Sequence, residues 1–218
     1  MPINDLVAGQ NIVGAALVRT EPIQERSAAR VDALLDAAAD VVDEIGFDRL
    51  TTAMVAERAG ASIGTVYRYF PDRIVLLQAL RDRAVLRYRR AVVAAIHEQQ
   101  PEHWWNAVEA AIDSFVAMFR QEPGFRIIRF TDAERSGVPG EEVVRDVSFA
   151  TQFADILADE YSLPAGDDLA FRLEIVVEVM DSLINRAFRD DPAGDERYIA
   201  EARVVAREYL EKRYGSEA

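Results

Sequence analysis

The chain has no cysteine, a single lysine (Lys212) and two histidines among its 218 residues. Without thiols it can form neither a disulfide framework nor a thiolate metal site, and this usage fits a cytoplasmic protein. His97 and His103 are six positions apart and share no helical face, so no metal site is expected from them. Glycine (11) and proline (8) are scarce and 50% of the residues are hydrophobic, which excludes a disordered or fibrous chain. Long apolar runs are also missing. "IVGAALV" (12–18) is seven residues, against about 20 for a membrane span, and only Asp5 carries charge ahead of it, so neither a span nor a signal peptide is expected. Residues 1–25 read as a mobile arm or an over-long start. Sustained polar–apolar alternation is absent too, which argues against strands.

Charge is present in quantity and unevenly placed. The net charge is −13, yet residues 19–90 hold 12 arginines against 11 acidic residues, while residues 91–218 hold 13 basic and 26 acidic residues. The acidic body would repel a polyanion, so only the first third can approach phosphate. The arginine run Arg81, Arg83, Arg87, Arg89 and Arg90 reads as a solvated helix face.

The period throughout is helical. Val31, Leu34, Leu35, Ala38, Val41, Val42 and Ile45 form one stripe of a first helix, with Ser27 as expected N-cap and Gly46 as left-handed terminator. "TTAMVAERAG" predicts a short second helix capped by Thr51 or Thr52 and ended by Gly60; Ser62 caps a third, which stops at Pro71. A long fourth helix is expected over about 72–98. Further helices are expected over about 102–121, 125–134, 141–161, 168–189 and 195–213, parted by breakers such as "SGVPG" (136–140) and "DDPAG" (190–194). The fold class is therefore all-α: an N-terminal three-helix unit followed by a larger helical body, about nine helices in all.

Two short helices joined by a tight glycine turn define a helix-turn-helix, whose second helix enters the DNA major groove. At about 100° per residue, Ile63, Val66, Tyr67 and Phe70 cluster on one side, and Gly64, Thr65, Arg68 and Tyr69 lie opposite. "GASIG" (60–64) also matches the nucleophile-elbow pattern of hydrolases, but that motif needs a preceding strand, and "MVAERA" is helical. Ser62 is better read as a cap than as a nucleophile.

The stretch "GFDRLTTAMVAERAGASIGTVYRYFPDR" (46–73) resembles the DNA-binding domain of TetR-family (tetracycline-repressor-like) transcriptional regulators. The resemblance covers roughly residues 27–73. It implies a helix-turn-helix domain over 26–73 and a ligand-binding and dimerisation body over 74–218. It also implies DNA-binding roles: Thr52, Tyr67, Arg68, Tyr69 and Arg73 on phosphates, Gly64 and Thr65 at base edges, with Ser62 and Ile63 beside them. Ile63 stands where the family commonly has lysine; it can meet a thymine methyl or simply pack, and cannot supply a charged guanine contact. Tyr67 has two readings, a hydroxyl reaching phosphate or a buried ring.

For the body, the resemblance implies a homodimer and a small-molecule cavity. Tyr198, Ala202, Val205 and Tyr209 on the last helix, with Val176, Met180, Leu183 and Ala187 on the one before, form the expected dimer seam. Trp104, Trp105, Phe115, Met118, Phe119, Phe149, Phe153 and Met180 are expected around a largely apolar ligand; equally, they read as ordinary core. Glu174, Glu178, Asp181 and Asn185 make one polar stripe, either a solvated or Arg-paired face, or one from which a carboxylate, Glu178 among the expected contacts, enters the cavity and favours a cationic ligand. No cofactor and no catalytic residue is expected. The functional expectation is a ligand-responsive repressor released from a palindromic double-stranded operator. The alternatives are a helical binding protein or enzyme with a vestigial DNA-binding unit, and a regulator without ligand.

Overall fold

The computed structural model describes residues 2–7, 21–127 and 148–216. Among these there are eight α-helices and no strand: α1 (Glu21–Ile45), α2 (Thr52–Arg58), α3 (Ile63–Tyr69), α4 (Arg73–Gln99), α5 (Trp104–Gln121), α6 (Phe149–Tyr161), α7 (Asp167–Phe188) and α8 (Glu196–Tyr214). None of the described helices is long and apolar enough to cross a membrane. The expected break at 136–140 and the expected helical residues 128–134 and 141–147 lie outside the described residues. Residues 125–127 form a 3₁₀ turn, and α6 begins behind a Ser148 cap that accepts the Thr151 N–H at 3.2 Å.

The chain divides into two compact units, and the division falls inside α4, after Val85. The first contains residues 21–85 with the turn at 125–127. Its core is the α1 stripe: Leu34, Leu35, Ala38 and Val42 are fully enclosed, joined by Val55 from α2, Val66 from α3 and Leu76 from α4. Thr51, not Thr52, caps α2, accepting the Met54 N–H at 3.2 Å. Ser27 is not a cap: α1 starts at Glu21, and Ser27 is an interior residue of that helix.

The second unit holds residues 2–7, 86–121 and 148–216. Here α7 packs against α6 and α8, and α5 lies on α7 and α8. Residues Ile3–Val7 form a 3₁₀ turn rather than a free arm. Leu6 is completely buried and Ile3 nearly so, and the Ile3 N–H donates to the Glu160 carboxylate at 3.0 Å. Residues 8–20, the rest of the expected arm ahead of α1, lie outside the described residues.

The reading of the α4 arginines as a solvated face is overturned at two positions. Arg83 (4% exposed) bonds the Asp32 carbonyl and the Asp36 carboxylate in the first unit. Arg89 (2% exposed) bonds the Leu6 carbonyl and the Gln152 side chain in the second. A helix packed on several sides has little solvated face. Its long arginine stems supply apolar contact while the head groups find buried acceptors.

Candidate functional site

The turn before α3 explains the small residues at 60–62. Ala61 N–H reaches back to the Ala56 carbonyl (2.8 Å) and Gly60 N–H to the Glu57 carbonyl (3.1 Å), a Schellman closure of α2. That closure needs a left-handed residue, and Gly60 has φ of 57°. Ser62 then opens α3 at once. Its extended backbone (φ −73°, ψ 149°) lets Oγ accept the Thr65 N–H at 3.1 Å, and Oγ also meets Thr65 Oγ1 at 2.9 Å. Three residues thus turn the chain from one helix into the next.

Only two side chains anchor α3: Val66 is fully buried and Phe70 is 1% exposed. Ser62, Ile63, Gly64, Tyr67 and Arg68 are exposed, and Thr65 and Tyr69 are half-buried. The helical wheel grouped Ile63 and Tyr67 with the anchors, and the structure corrects this: Ile63 is 43% and Tyr67 51% exposed. Ile63 is the first residue of a seven-residue helix, where its own domain leaves it partly uncovered. Tyr67 projects past the rim of the core, where its hydroxyl accepts a hydrogen bond from Thr52 Oγ1 at 3.3 Å.

Two polar groupings result. Thr52 (8% exposed) and Tyr67 form the first. In the second, the Tyr69 hydroxyl accepts from Ser27 Oγ and from Arg68 Nη2, each at 3.4 Å, and the Arg68 guanidinium lies 5.0 Å from the Tyr69 ring centre. The Ser27 hydrogen bond, helped by the charges of Arg68 and Arg30, holds this phenol below the ordinary tyrosine value against the opposing effect of burial. Sequence reasoning missed Ser27 and Arg30 as members of this group. They are three apart on α1, hence on one helical face, and neither belongs to its apolar stripe.

Arg73 is placed differently from the rest. Its Nη2 donates to the Phe47 carbonyl at 2.6 Å and its Nε is buried without an acceptor, so it ties the start of α4 to the turn after α1. The Arg81 guanidinium lies 4.7 Å from the Phe47 ring centre.

In the helical body, every aromatic residue expected around a ligand is buried: Trp104, Trp105, Phe115, Phe119, Phe149 and Phe153, as are Met118 and Met180. Phe153, Phe149, Tyr88, Phe115, Phe119 and Phe188 pack in sequence, with ring centres 5.1–5.5 Å apart. Glu178 is exposed, whereas Asp181 on the same stripe has no exposed surface and accepts from Asn185 Nδ2 at 2.9 Å. A recess of about 590 Å³ opens instead at the α7–α8 turn, lined by Arg186, Asp190, Asp195, Arg197 and Tyr198 among others. None of the expected ligand contacts lines it, and within it Arg186 pairs with Asp190 at 2.9 Å and Arg197 with Asp195 at 2.6 Å.

Of the expected dimer residues, Val176, Met180, Ala187 and Ala202 are buried within the chain's own bundle, at 0–6% exposure. Leu183, Tyr198 and Tyr209 are half-buried, and Val205 is exposed. The large apolar side chains left open on α7 and α8 are Phe171 (59%), Val204 (46%) and Val205 (37%). A side chain with no accessible surface cannot meet a second chain unless its own bundle opens. Phe171, Val204 and Val205 are open to a second chain, and Leu183, Tyr198 and Tyr209 keep part of their surface.

A capped helix-turn-helix with an open reading helix, in a chain with a separate helical unit, defines the class as a helical DNA-binding regulator. Residues 34–80 match the family described as bacterial regulatory proteins, tetR family, and residues 102–214 match the tetracyclin repressor-like C-terminal domain. The chain belongs to the TetR family of transcriptional regulators, and is a regulator rather than an enzyme. A TetR-family transcriptional regulator from Streptomyces coelicolor is 35% identical, with a TM-score of 0.71 over 84% of this chain and 98% of that one. The HTH-type transcriptional regulator BetI of Klebsiella pneumoniae is 35% identical over 77 residues, 35% of this chain and 36% of its own length. The alignment thus spans about a third of the curated relatives it matches. RolR, solved with resorcinol, shares the fold at 20% identity, with a TM-score of 0.54 over 90% of this chain and 100% of RolR.

Proposed function

We propose that the chain is a ligand-responsive repressor that binds a partly palindromic operator as a homodimer and is released by a small molecule. The observation that carries the DNA-binding part is the α3 surface. Two buried anchors hold a seven-residue helix whose remaining side chains are half or fully accessible, with Tyr67 and Tyr69 hydroxyls at its margin. Ser62, Ile63, Gly64 and Thr65 form its leading turn and would face base edges. Thr52 with Tyr67, and Ser27 and Arg30 with Arg68 and Tyr69, would hold phosphates on either side. Arg73 would act through the domain's geometry, since its guanidinium is already engaged.

Dimerisation is supported by the uncovered apolar surface of Phe171, Val204 and Val205 on α7 and α8. Two copies would set their α3 helices about 34–36 Å apart, one turn of duplex. The ligand reading is supported by the continuous aromatic interior of the body, and RolR is a relative in fold that holds a small aromatic molecule. A ligand seated there would favour a dimer whose reading heads no longer match the groove, lowering operator affinity through a coupling free energy.

The test uses a duplex recovered from the DNA flanking the chain's own gene. Binding should be tight at low salt and fall steeply as salt rises. Thr65→Ala with Tyr69→Ala should abolish it while the oligomeric state is unchanged. Full-strength binding by that double variant would reject the assignment of α3.

A further inference from the structure

The leading turn of α3, Ser62-Ile63-Gly64-Thr65, carries no charge and one large accessible side chain, Ile63. Arg68 is the only cation on the helix; it lies near the C-terminal end, with its guanidinium over the Tyr69 ring. The Ser62 and Thr65 hydroxyls are already bonded to each other, and Ser62 Oγ also takes the Thr65 N–H. The N-terminal residues of a reading helix are the ones that meet base edges. Guanine offers two acceptors there and is read by a paired cationic donor, whereas thymine offers a C5-methyl that is read by apolar contact. At the first position of that helix, Ile63 keeps 43% of its surface open, a large apolar group that the core does not enclose.

We infer that Ile63 is a specificity-determining residue that contacts the C5-methyl of a thymine in each operator half-site, and that this position of the operator is not guanine. The inference rests on the DNA-binding reading above and deepens it. It names the base feature recognised, a major-groove methyl, and by the same chemistry a 5-methylcytosine would serve in its place. A lone methyl contact is worth about 0.8 kcal/mol, which is about fourfold in affinity per half-site.

The experiment uses the full-length protein and a duplex it selects from a random pool. Each thymine of one half-site is then replaced by uracil, which deletes only the methyl. One substitution should weaken binding about fourfold in the wild type and have no effect on Ile63→Ala. Restoring the methyl as 5-methylcytosine, paired with guanine, should recover part of the loss. Selection repeated with Ile63→Lys should move that position toward guanine. Ile63→Ala should melt within a few degrees of the wild type, because Val66 and Phe70, not Ile63, anchor α3 in the core. Uniform indifference to uracil, or equal sensitivity of Ile63→Ala, overturns the methyl contact while leaving DNA binding intact. Failure to select any sequence overturns the DNA-binding reading and this inference with it.

Discussion

Thr52, on α2, donates from Oγ1 to the hydroxyl of Tyr67, on α3, at 3.3 Å across the helix-turn-helix. Thr52 is 8% exposed and Tyr67 51%, so the buried partner holds the accessible one in place. A phenol that accepts from Thr52 keeps its own proton for an acceptor outside the protein, such as a phosphate oxygen. Tyr67→Phe should therefore weaken operator binding by about tenfold, the scale of one hydrogen bond to a charged group, with a smaller change in melting temperature. Thr52→Val keeps the phenol and loses its orientation, and should cost less affinity than Tyr67→Phe. Fluorescence anisotropy on the selected duplex measures both; unchanged affinity in Tyr67→Phe removes Tyr67 from the contact surface.

Gly64 yields a prediction of opposite signs. It sits in a helix without a positive φ, and a Cβ there would meet only Ser62 Oγ, at 3.9 Å. Nothing in the folded chain requires glycine, which disfavours a helix by about 0.8–1.0 kcal/mol relative to alanine. Gly64→Ala should therefore raise stability, by up to about 1 kcal/mol in chemical denaturation. If the bare backbone is needed for close approach to DNA, the same variant should bind the operator at least tenfold more weakly. A variant both more stable and fully active would show that no such approach occurs.

Leu6 has no exposed surface, and the buried Arg89 bonds its carbonyl. Leu6→Ala should accordingly cost about 2–5 kcal/mol, as other buried leucine truncations do. Circular dichroism in denaturant reads it directly. A passive N-terminal arm would give no change, and that result would separate residues 2–7 from the body's core.

Residues 27–73 were the most legible part of the chain because local signals agree there: the α1 stripe, Gly60 where a left-handed residue is needed, a serine cap and a proline stop. The body was legible as helices and only partly as surfaces. Periodicity shows that α7 and α8 are apolar but not which apolar residues the bundle consumes, so Val176, Met180, Ala187 and Ala202 were expected at a seam and lie inside. Arg83 and Arg89 failed for the same reason, since their acceptors at Asp32, Asp36, Leu6 and Gln152 are remote in sequence. Arg73 was legible as a charge, but its engagement with the Phe47 carbonyl depends on a turn 26 residues away.

Asp168 offers a pH-dependent test of how the body's last two helices are tied together. It lies in the first turn of α7 and accepts from Arg172 Nε (3.1 Å), Arg213 Nε (3.1 Å) and Tyr214 (3.0 Å), the latter two at the end of α8. Hydrogen bonds from Arg172 and then Arg213 lower its pKa from 3.8 to about 2, while burial, reinforced by the Asp168 contact, pushes Tyr214 up to about 12. For a carboxylate whose folded pKa is depressed, the stabilisation is fully present above the unfolded value and is lost as pH falls through the folded one. The window thus runs from about pH 4 down to about pH 2. Asp168→Asn should lower the melting temperature modestly at pH 7, and the gap to wild type should close across that window. Because the carboxylate is solvent-facing, 1 M salt should also narrow the gap at pH 7. Carboxylate NMR of the wild type should place the Asp168 midpoint well below that of an unpaired aspartate. A midpoint near 3.8, or a melting difference that persists at pH 2, would mean that Arg172, Arg213 and Tyr214 do not hold this group in solution.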